Sequence, residues 1–352
     1  MRNMAVQNTE TKKQIPKFSI IIAVTHSIKC LEDCLKSLEG LNYPKELFQV
    51  VLVDCHVIPG LANFFKENTG TGKINITALT LPEQLSAKKS WLHEARLNEA
   101  RNLAMQRVPG RYFVFTEDDC MFEPDWLKKF DPVLDDVTLG AAGGPDILPE
   151  GMGWLPRALD CILNSFAGTA GAKRGDGPRN EWYYPRKENT VIPARVFERI
   201  GNFPQEMIFG AEMEMAKRIR DAGLVISYLP DNPVWHWRDT TFMNLVRRNI
   251  YHAAEKVRLL RRQRLFLQSP HFLVFLAAAS CLFLGLLSLV NGNARAFFVA
   301  LILLYLLLVF FLAIKSLVQT RSLAVSLGVL LLLPSHHASI LTGVLKGMLF
   351  RV

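Results

Sequence analysis

The stretch YFVFTEDDCMF, residues 112–122, joins an apolar, strand-like run directly to three consecutive acids. Its first five residues have the aromatic and β-branched composition of a buried strand. Carboxylates repel one another. Glu117, Asp118 and Asp119 are therefore stable together at the end of a strand only if positive charge lies nearby. A divalent cation shared with a diphosphate would supply that charge. The simpler alternative is a solvated acidic turn before a helix, because acids favour helix N-termini.

Strand-like and helix-like segments alternate around this stretch. The predicted strands are FSIIIAV (18–24), FQVVLVDC (48–55), KINITALTL (73–81) and YFVFT (112–116), with helices predicted at 29–41, 60–68 and 92–108. Such alternation builds a doubly wound, mostly parallel α/β sheet with right-handed crossovers. Ligands of these sheets bind beyond the carboxyl ends of the strands. We therefore expect Thr25, Asp54 and the three acids to lie together.

Charge nearly vanishes beyond Gln268. Residues 271–290 and 296–314 contain no Lys, Arg, Asp or Glu, and each is close to the roughly 20 residues that cross a hydrocarbon core. A third apolar stretch, 322–345, is interrupted by the sequence PSHH, and it either crosses with a kink or dips in and returns. We predict a multi-pass protein of the cell membrane, with two or three transmembrane helices in a membrane domain at 269–352.

Basic residues concentrate just before the first predicted span. They are Arg247, Arg248, Lys256, Arg258, Arg261, Arg262 and Arg264. By the positive-inside rule they place residues 1–268 in the cytoplasm. We predict a disordered tail at 1–16 and a basic amphipathic helix in the membrane interface at 241–268. Because much of the net charge of +9 lies beside the bilayer, we expect anionic lipid as its partner and no nucleic acid.

Five segments carry a family resemblance. They are FSIIIAVTHS, QVVLVDC, EARNLAM, FVFTEDDCMFEPDWL and FGAEMEMAKRIRDAG, in that order. Together, over residues 17–240, they resemble the inverting family 2 glycosyltransferases. The resemblance implies a GT-A fold, which is a Rossmann-like nucleotide-diphosphosugar domain, and a UDP- or GDP-sugar as donor. The C-terminal spans are similar to those of membrane-bound, succinoglycan-type members that build exopolysaccharides on lipid-linked, polyprenyl acceptors.

The resemblance also implies roles for individual residues. The acid run matches the family's D-x-D region, which contacts the sugar nucleotide and holds Mn²⁺ or Mg²⁺. The implied metal ligands are Asp119, as first choice, and Glu117. Independently of the resemblance, His236 follows a predicted strand and lies between two tryptophans, where it could be a third metal ligand or a phosphate donor. The implied donor-binding residues are Thr25, Asp54, Arg101, Asn102, Glu117 and Asp118. Two alternatives stay open: the Arg101 guanidinium could reach a phosphate or a neighbouring carboxylate, and His236 could be a packed residue rather than a ligand.

Glu212 matches the Asp of the family motif E-D-x-E-L-x-x-R, whose carboxylate is the general base. A base is needed because a sugar hydroxyl is a poor nucleophile at neutral pH. The chain departs from the family at Cys55, where a second Asp is usual, and at Ala211, where a Glu precedes the base. Sliding the motif by two residues would make Glu214 the base, but the spacing to Arg218 favours Glu212. A solvated first helical turn is the alternative for both glutamates.

These patterns predict a membrane-anchored, metal-dependent inverting transferase that moves a single sugar from a nucleotide-diphosphosugar to a lipid-linked saccharide. Processive synthases carry Q-x-x-R-W near the basic segment, and VRRNIYH does not match it, which favours single-sugar addition. Two alternatives stay open. One is a polyprenyl-phosphate sugar synthase, in which a phosphate oxygen is the nucleophile. The other is a non-catalytic membrane scaffold with a degenerate transferase domain, which Cys55 and Ala211 favour and the intact acid run opposes.

Overall fold

A computed structural model describes residues 15–68, 74–82, 92–169, 183–205, 207, 210–237, 241–262 and 270–349. Most of the predicted tail at 1–16, and residues 263–268 of the predicted interface helix, lie outside these ranges. Strands in the described residues are β1 (Phe18–Val24), β2 (Phe48–Asp54), β3 (Asn75–Thr80), β4 (Tyr112–Glu117), β5 (Cys120–Phe122), β6 (Leu139–Gly143), β7 (Asp146–Ile147), β8 (Thr190–Pro193), β9 (Val225–Tyr228) and β10 (Val234–His236).

Seven of these strands form the central sheet, in the order β3-β2-β1-β4-β8-β6-β9. Strand β8 runs antiparallel to both of its neighbours, whereas the other neighbouring pairs are parallel. The four strands predicted from sequence are present, with ends shifted by two residues at most. The predicted doubly wound, mostly parallel α/β sheet is therefore confirmed. A smaller sheet, β5-β10-β7, begins directly after β4.

Helices cover both faces of the central sheet. The α-helices in the described residues are α1 (Ile28–Glu39), α2 (Leu61–Asn68), α3 (Leu92–Arg107), α4 (Asp131–Leu134), α5 (Trp154–Leu163), α6 (Phe166–Thr169), α7 (Ala194–Ile200), α8 (Ala211–Asp221), α9 (Phe242–Arg262), α10 (Pro270–Leu287), α11 (Gly292–Thr320) and α12 (Leu323–Leu349). Alternate residues of β1 enter two cores, as the period of two in a strand requires. Ile20 and Ile22 pack with α1 and α2, while Ile21 and Ala23 pack with α3 and α8.

Two helices in the described residues are long and apolar enough to cross a membrane, α11 and α12. They differ in burial, because 11% of the most apolar window is buried in α11 and 44% in α12. The first predicted span forms α10, of which several side chains lie outside the described residues. The third predicted stretch is one helix, α12, with Pro334 inside it.

Helix α12 lies against α9 at very close range. A Cβ atom at Gly343 would lie 2.3 Å from the carbonyl oxygen of Ile250, and one at Gly347 would lie 2.6 Å from that of Ala254. The two helices run parallel, since Asn249 bonds to Ser339 near their middle and Arg261 donates to the Met348 carbonyl at their ends. Small residues permit this approach.

Most apolar residues of α9 after its first turn are therefore buried against protein. They are Leu245, Ala253, Ala254, Val257, Leu259 and Leu260. Ala253, Val257 and Leu260 pack with Val344 of α12. The α/β domain and α12 thus cover Leu259 and Leu260, and the position of 241–268 in the membrane interface stays a prediction. The sequence could not show this packing, since the contacting residues of α12 lie about 90 residues further along the chain.

Candidate active site

The three acids after β4 are almost completely buried. Glu117 is 3% exposed, Asp118 is 0% exposed and Asp119 is 3% exposed. A solvated acidic turn is therefore excluded. Strand register aligns Ala23 of β1 with Glu117, and Val24 with Asp54 of β2, so the strand ends meet at one edge of the sheet as expected. Three carboxylates in such a place need compensating positive charge or hydrogen bonds.

Asp118 ties the end of β1 to the end of β4. Its carboxylate accepts hydrogen bonds from the backbone N–H of Thr25 at 3.2 Å and of His26 at 2.9 Å. The ring Nδ1 of His26 lies 2.8 Å from the other carboxylate oxygen. Burial opposes a charge on His26, but Asp118 and the two neighbouring acids outweigh burial and raise the pKa of His26 to about 9. His26 thus supplies one positive charge at neutral pH.

Glu117, Asp119 and His236 each offer one ligand atom, and these atoms lie within 4.8 Å of one another. The Nε2 atom of His236 is 3.2 Å from Asp119 Oδ2 and 4.0 Å from Glu117 Oε2. Antiparallel pairing of β10 with β5 sets His236 opposite Cys120, directly beside Asp119. The structure thus brings together the three residues that the sequence analysis names as candidate metal ligands.

The charge state of this group suits a divalent cation. Burial raises the pKa of Glu117 to about 7, although Lys187 acts against it. Burial also disfavours ionised Asp119, but the adjacent His236 lowers the pKa of Asp119 below its usual value. His236 in turn has its pKa raised to about 10, since Asp119 outweighs burial. Two carboxylates and an imidazole are a donor set that Mn²⁺ accepts, and binding would release the protons held here.

Sequence reasoning missed three charged residues of the site. Lys187 Nζ lies 2.7 Å from Glu117 Oε1. Asp146 and Glu188 flank the other side of His236, at 3.5 Å and 3.8 Å from its Nδ1 atom, where they orient the ring. Because β8 is antiparallel to β4, the residues that precede it arrive at the carboxyl end of β4. The signal was the charged run RKEN directly before the short β-branched strand TVIP.

Glu212 lies in the first turn of α8, after Gly210 in the left-handed conformation (φ 84°). Its Oε1 atom accepts a hydrogen bond of 2.9 Å from Nη1 of Arg101, which is buried on α3. Burial disfavours ionised Glu212, but Arg101 outweighs this and lowers the pKa of Glu212. Glu214 instead pairs with Arg218 on its own helix. Of the two open alternatives for Arg101, the structure shows the neighbouring carboxylate.

Glu212 lines a small pocket, and none of Glu117, Asp118, Asp119 and His236 is among its lining residues. Arg101, Lys187 and Glu212 are its charged lining residues, and its apolar lining includes Phe115, Phe203, Met215 and Ile219. Lys187 belongs to both regions, because it also pairs with Glu117. Glu214 does not line this pocket. The geometry therefore favours Glu212 over Glu214 as the carboxylate that meets a substrate.

Two predicted donor-binding residues have other contacts. Asn102 clamps Phe203, donating to its carbonyl at 2.8 Å and accepting from its N–H at 3.0 Å. This placement makes Asn102 a structural residue and leaves its predicted donor contact without support. Asp54 ends β2 and accepts a hydrogen bond of 2.7 Å from the N–H of His56. It lies at the expected edge of the sheet, and its predicted donor contact stays a prediction.

Comparisons with known proteins agree with this fold. No protein-family model matches the chain. A curated relative, "Glycosyltransferase AglE" of Haloferax volcanii, is 23% identical over 219 residues. The alignment covers 62% of this chain and 66% of that relative, which is just under two thirds of its length.

A solved structure resembles nearly the whole chain. The mannosyltransferase PcManGT from Pyrobaculum calidifontis, solved in complex with GDP-Man and Mn²⁺, superposes with a TM-score of 0.59 at 17% identity. The match covers 95% of this chain and 88% of that one. The chain has a glycosyltransferase fold. A weaker match is S. aureus TarS in complex with UDP-GlcNAc, with a TM-score of 0.44 at 20% identity. That match covers 68% of this chain and 66% of TarS.

We predict that Asp119→Asn weakens Mn²⁺ binding by at least about tenfold, because it removes a ligand charge while keeping the shape of the side chain. Mn²⁺ electron paramagnetic resonance of the purified protein measures this affinity. Asp125→Asn is the matched control, since Asp125 is an exposed acid close in sequence that pairs with Lys128. Equal affinities of the Asp119 variant and the control would remove Asp119 from the metal site.

Proposed function

We propose that the protein is a membrane-anchored, metal-dependent, inverting glycosyltransferase of family 2, which moves one sugar from a nucleotide-diphosphosugar to a lipid-linked saccharide. The observation that carries this proposal is that Lys187 lines the pocket of Glu212 and also pairs with Glu117 of the cation-type ligand group. The likeness to a mannosyltransferase that binds GDP-Man and Mn²⁺ supports it.

The residues around the cation group have distinct roles in this proposal. Glu117, Asp119 and His236 would hold the cation, which neutralises negative charge on the diphosphate leaving group. Lys187 adds a fixed positive charge at the boundary between the cation group and the pocket. His26 and Asp118 hold the end of β1 against the end of β4, and so keep this edge of the sheet in place.

Glu212 acts as the general base. A hydroxyl of the acceptor gives its proton to the Glu212 carboxylate as its oxygen bonds to the anomeric carbon. The bond from that carbon to the diphosphate breaks, and the nucleoside diphosphate leaves with the electron pair. A single in-line displacement inverts the anomeric configuration. The lowered pKa keeps Glu212 ionised at neutral pH but also makes it a weaker base, so it contributes mainly by its position.

We predict that Glu212→Gln lowers kcat by about 10²-fold or more, because general-base catalysis is lost while the pocket keeps its shape. The measurement is transfer of radiolabelled sugar to a lipid extract, with the nucleotide sugar varied. Glu214→Gln is the control and should stay within a few-fold of wild type, since Glu214 pairs with Arg218 outside the pocket. An active Glu212 variant would point to the alternative polyprenyl-phosphate sugar synthase, which needs little base catalysis.

For the membrane arrangement, we propose that α10 and α11 form a membrane-crossing hairpin, while α12, which runs antiparallel along the second half of α11, stays on the cytoplasmic side without crossing. Helix α11 is 29 residues long, about 43 Å, which exceeds the ~30 Å hydrocarbon core. Helix α12 packs along α5 at Gly328 and along α9 as far as Met348. Because α9 carries exposed arginines over this length, the pair is too costly to bury in hydrocarbon.

The outer face of α12 suits this position. Its exposed residues follow helical spacing on one side and are mostly apolar: Leu323, Leu327, Leu331, Ala338, Thr342, Leu345 and Leu349. Its opposite face is buried on the protein. A helix with an apolar outer stripe, and with a basic helix beside it, is the pattern of an interfacial element.

We predict that both ends of α12 lie on the same side of the membrane as the transferase domain. Cysteines placed at Ala324 and Leu349 should react with an impermeant maleimide only in vesicles that expose the domain, with wild type as background. A cysteine at Asn293, in the first turn of α11, should react only in vesicles of the opposite orientation. Labelling of positions 324 and 349 from opposite sides would show that α12 crosses.

A further inference from the structure

Helix α9 packs beside the start of α8, where Glu212 lies. Leu259 of α9 is buried in the same core cluster as Met207, Ala211 and Met215. Met213 of α8 also packs against the cluster that contains Val257. The face of α9 that includes Leu259 is therefore turned toward the transferase domain, while a different face lies on α12.

Arg248, His252 and Lys256 are spaced four residues apart on α9, so they form one stripe along the helix. Leu259, three residues after Lys256, continues this stripe and fixes its direction toward the domain. The stripe meets the segment that precedes β8. Lys256 Nζ lies 5.8 Å from the ring centre of Tyr184, and Arg186 Cζ lies 4.7 Å from the same ring.

The pKa shifts of Tyr184 and His252 show that cations from α9 and from the segment before β8 lie close to both side chains. Burial would raise the pKa of Tyr184, yet Arg186 and Lys256 lower it below its usual value. Burial lowers the pKa of His252 well below its usual value, and Lys256, Arg248, Lys187 and Arg186 lower it further. Glu212 is close enough to influence Tyr184 as well. Cations from α9 and from the segment before β8 thus converge beside the proposed base.

We propose that Arg248 and Lys256 of α9, with Arg186, bind the phosphate of the acceptor, a lipid-linked saccharide diphosphate. This inference rests on the proposed function and names the acceptor chemistry of the same site. Convergent cations are the side chains that recognise phosphate, because their hydrogen bonds to phosphate oxygens are charge-assisted. Helix α9 also lies against α12 beside the bilayer, so a phosphate anchored by a prenyl tail reaches the stripe from the membrane. The attached sugar is then next to Glu212.

The same chemistry would suit the diphosphate of the donor, so the test separates the two sources. Binding of farnesyl diphosphate and of GDP- and UDP-sugars with Mn²⁺ is measured by calorimetry on the full chain in nanodiscs. Arg248→Gln and Lys256→Gln should each weaken farnesyl diphosphate binding by at least about tenfold, because each removes a charge-assisted bond. Nucleotide-sugar affinity should stay within twofold, which also shows that the variants are folded.

Arg247→Gln is the matched control, because it removes the same charge from a neighbouring exposed position that lies about 100° around α9 from Arg248. It should leave both affinities unchanged. Equal losses in the Arg247 and Arg248 variants would reduce the effect to general surface charge and overturn the proposal. A matching loss of nucleotide-sugar binding would assign these cations to the donor instead. If wild type binds a nucleotide sugar but not farnesyl diphosphate, only this proposal fails, and if it binds no nucleotide sugar, the proposed function fails.

Discussion

The architecture of the site depends on one electrostatic constraint, which is the burial of three consecutive carboxylates at the end of a central strand. Isolated buried charges of this kind are strongly unfavourable. The structure balances them with cationic groups from three separate places in the chain: His26 after β1, Lys187 before β8 and His236 on β10. Each of these elements is held at the carboxyl edge of the sheet by the acids that it neutralises, so the site and the fold stabilise one another.

Much of this could be predicted from the sequence because the relevant signals are local. Buried parallel strands are continuous apolar runs, and the position of each polar residue at a strand end follows from its place in the run. His236 is named from its place after a predicted strand, and the sequence leaves open whether it is a ligand or a packed residue. Lys187 and Glu188 were missed, because their signal, a charged run before a short strand, does not show that an antiparallel pairing carries them to the acids.

For the C-terminal helices, the sequence predicted the segments but not how they pack. Composition identified the apolar segments, but composition alone does not separate a helix that crosses lipid from one that packs on protein. Helix α12 passes both tests of length and apolarity, yet glycines at positions 343 and 347 bring it against α9 at backbone distance. That contact holds α9 between α12 and the start of α8, where Glu212 lies. A long-range contact of this kind leaves little trace in hydrophobic periodicity.

The most direct test of donor and cation sharing one site is calorimetric titration of GDP- and UDP-sugars into the detergent-purified protein, first with Mn²⁺ and then with EDTA. We expect one nucleotide sugar to bind in the presence of Mn²⁺ and its binding to disappear with EDTA, because Glu117, Asp119 and His236 would hold the donor through the cation. Failure of every nucleotide sugar to bind with metal present would contradict this and favour a non-catalytic membrane scaffold.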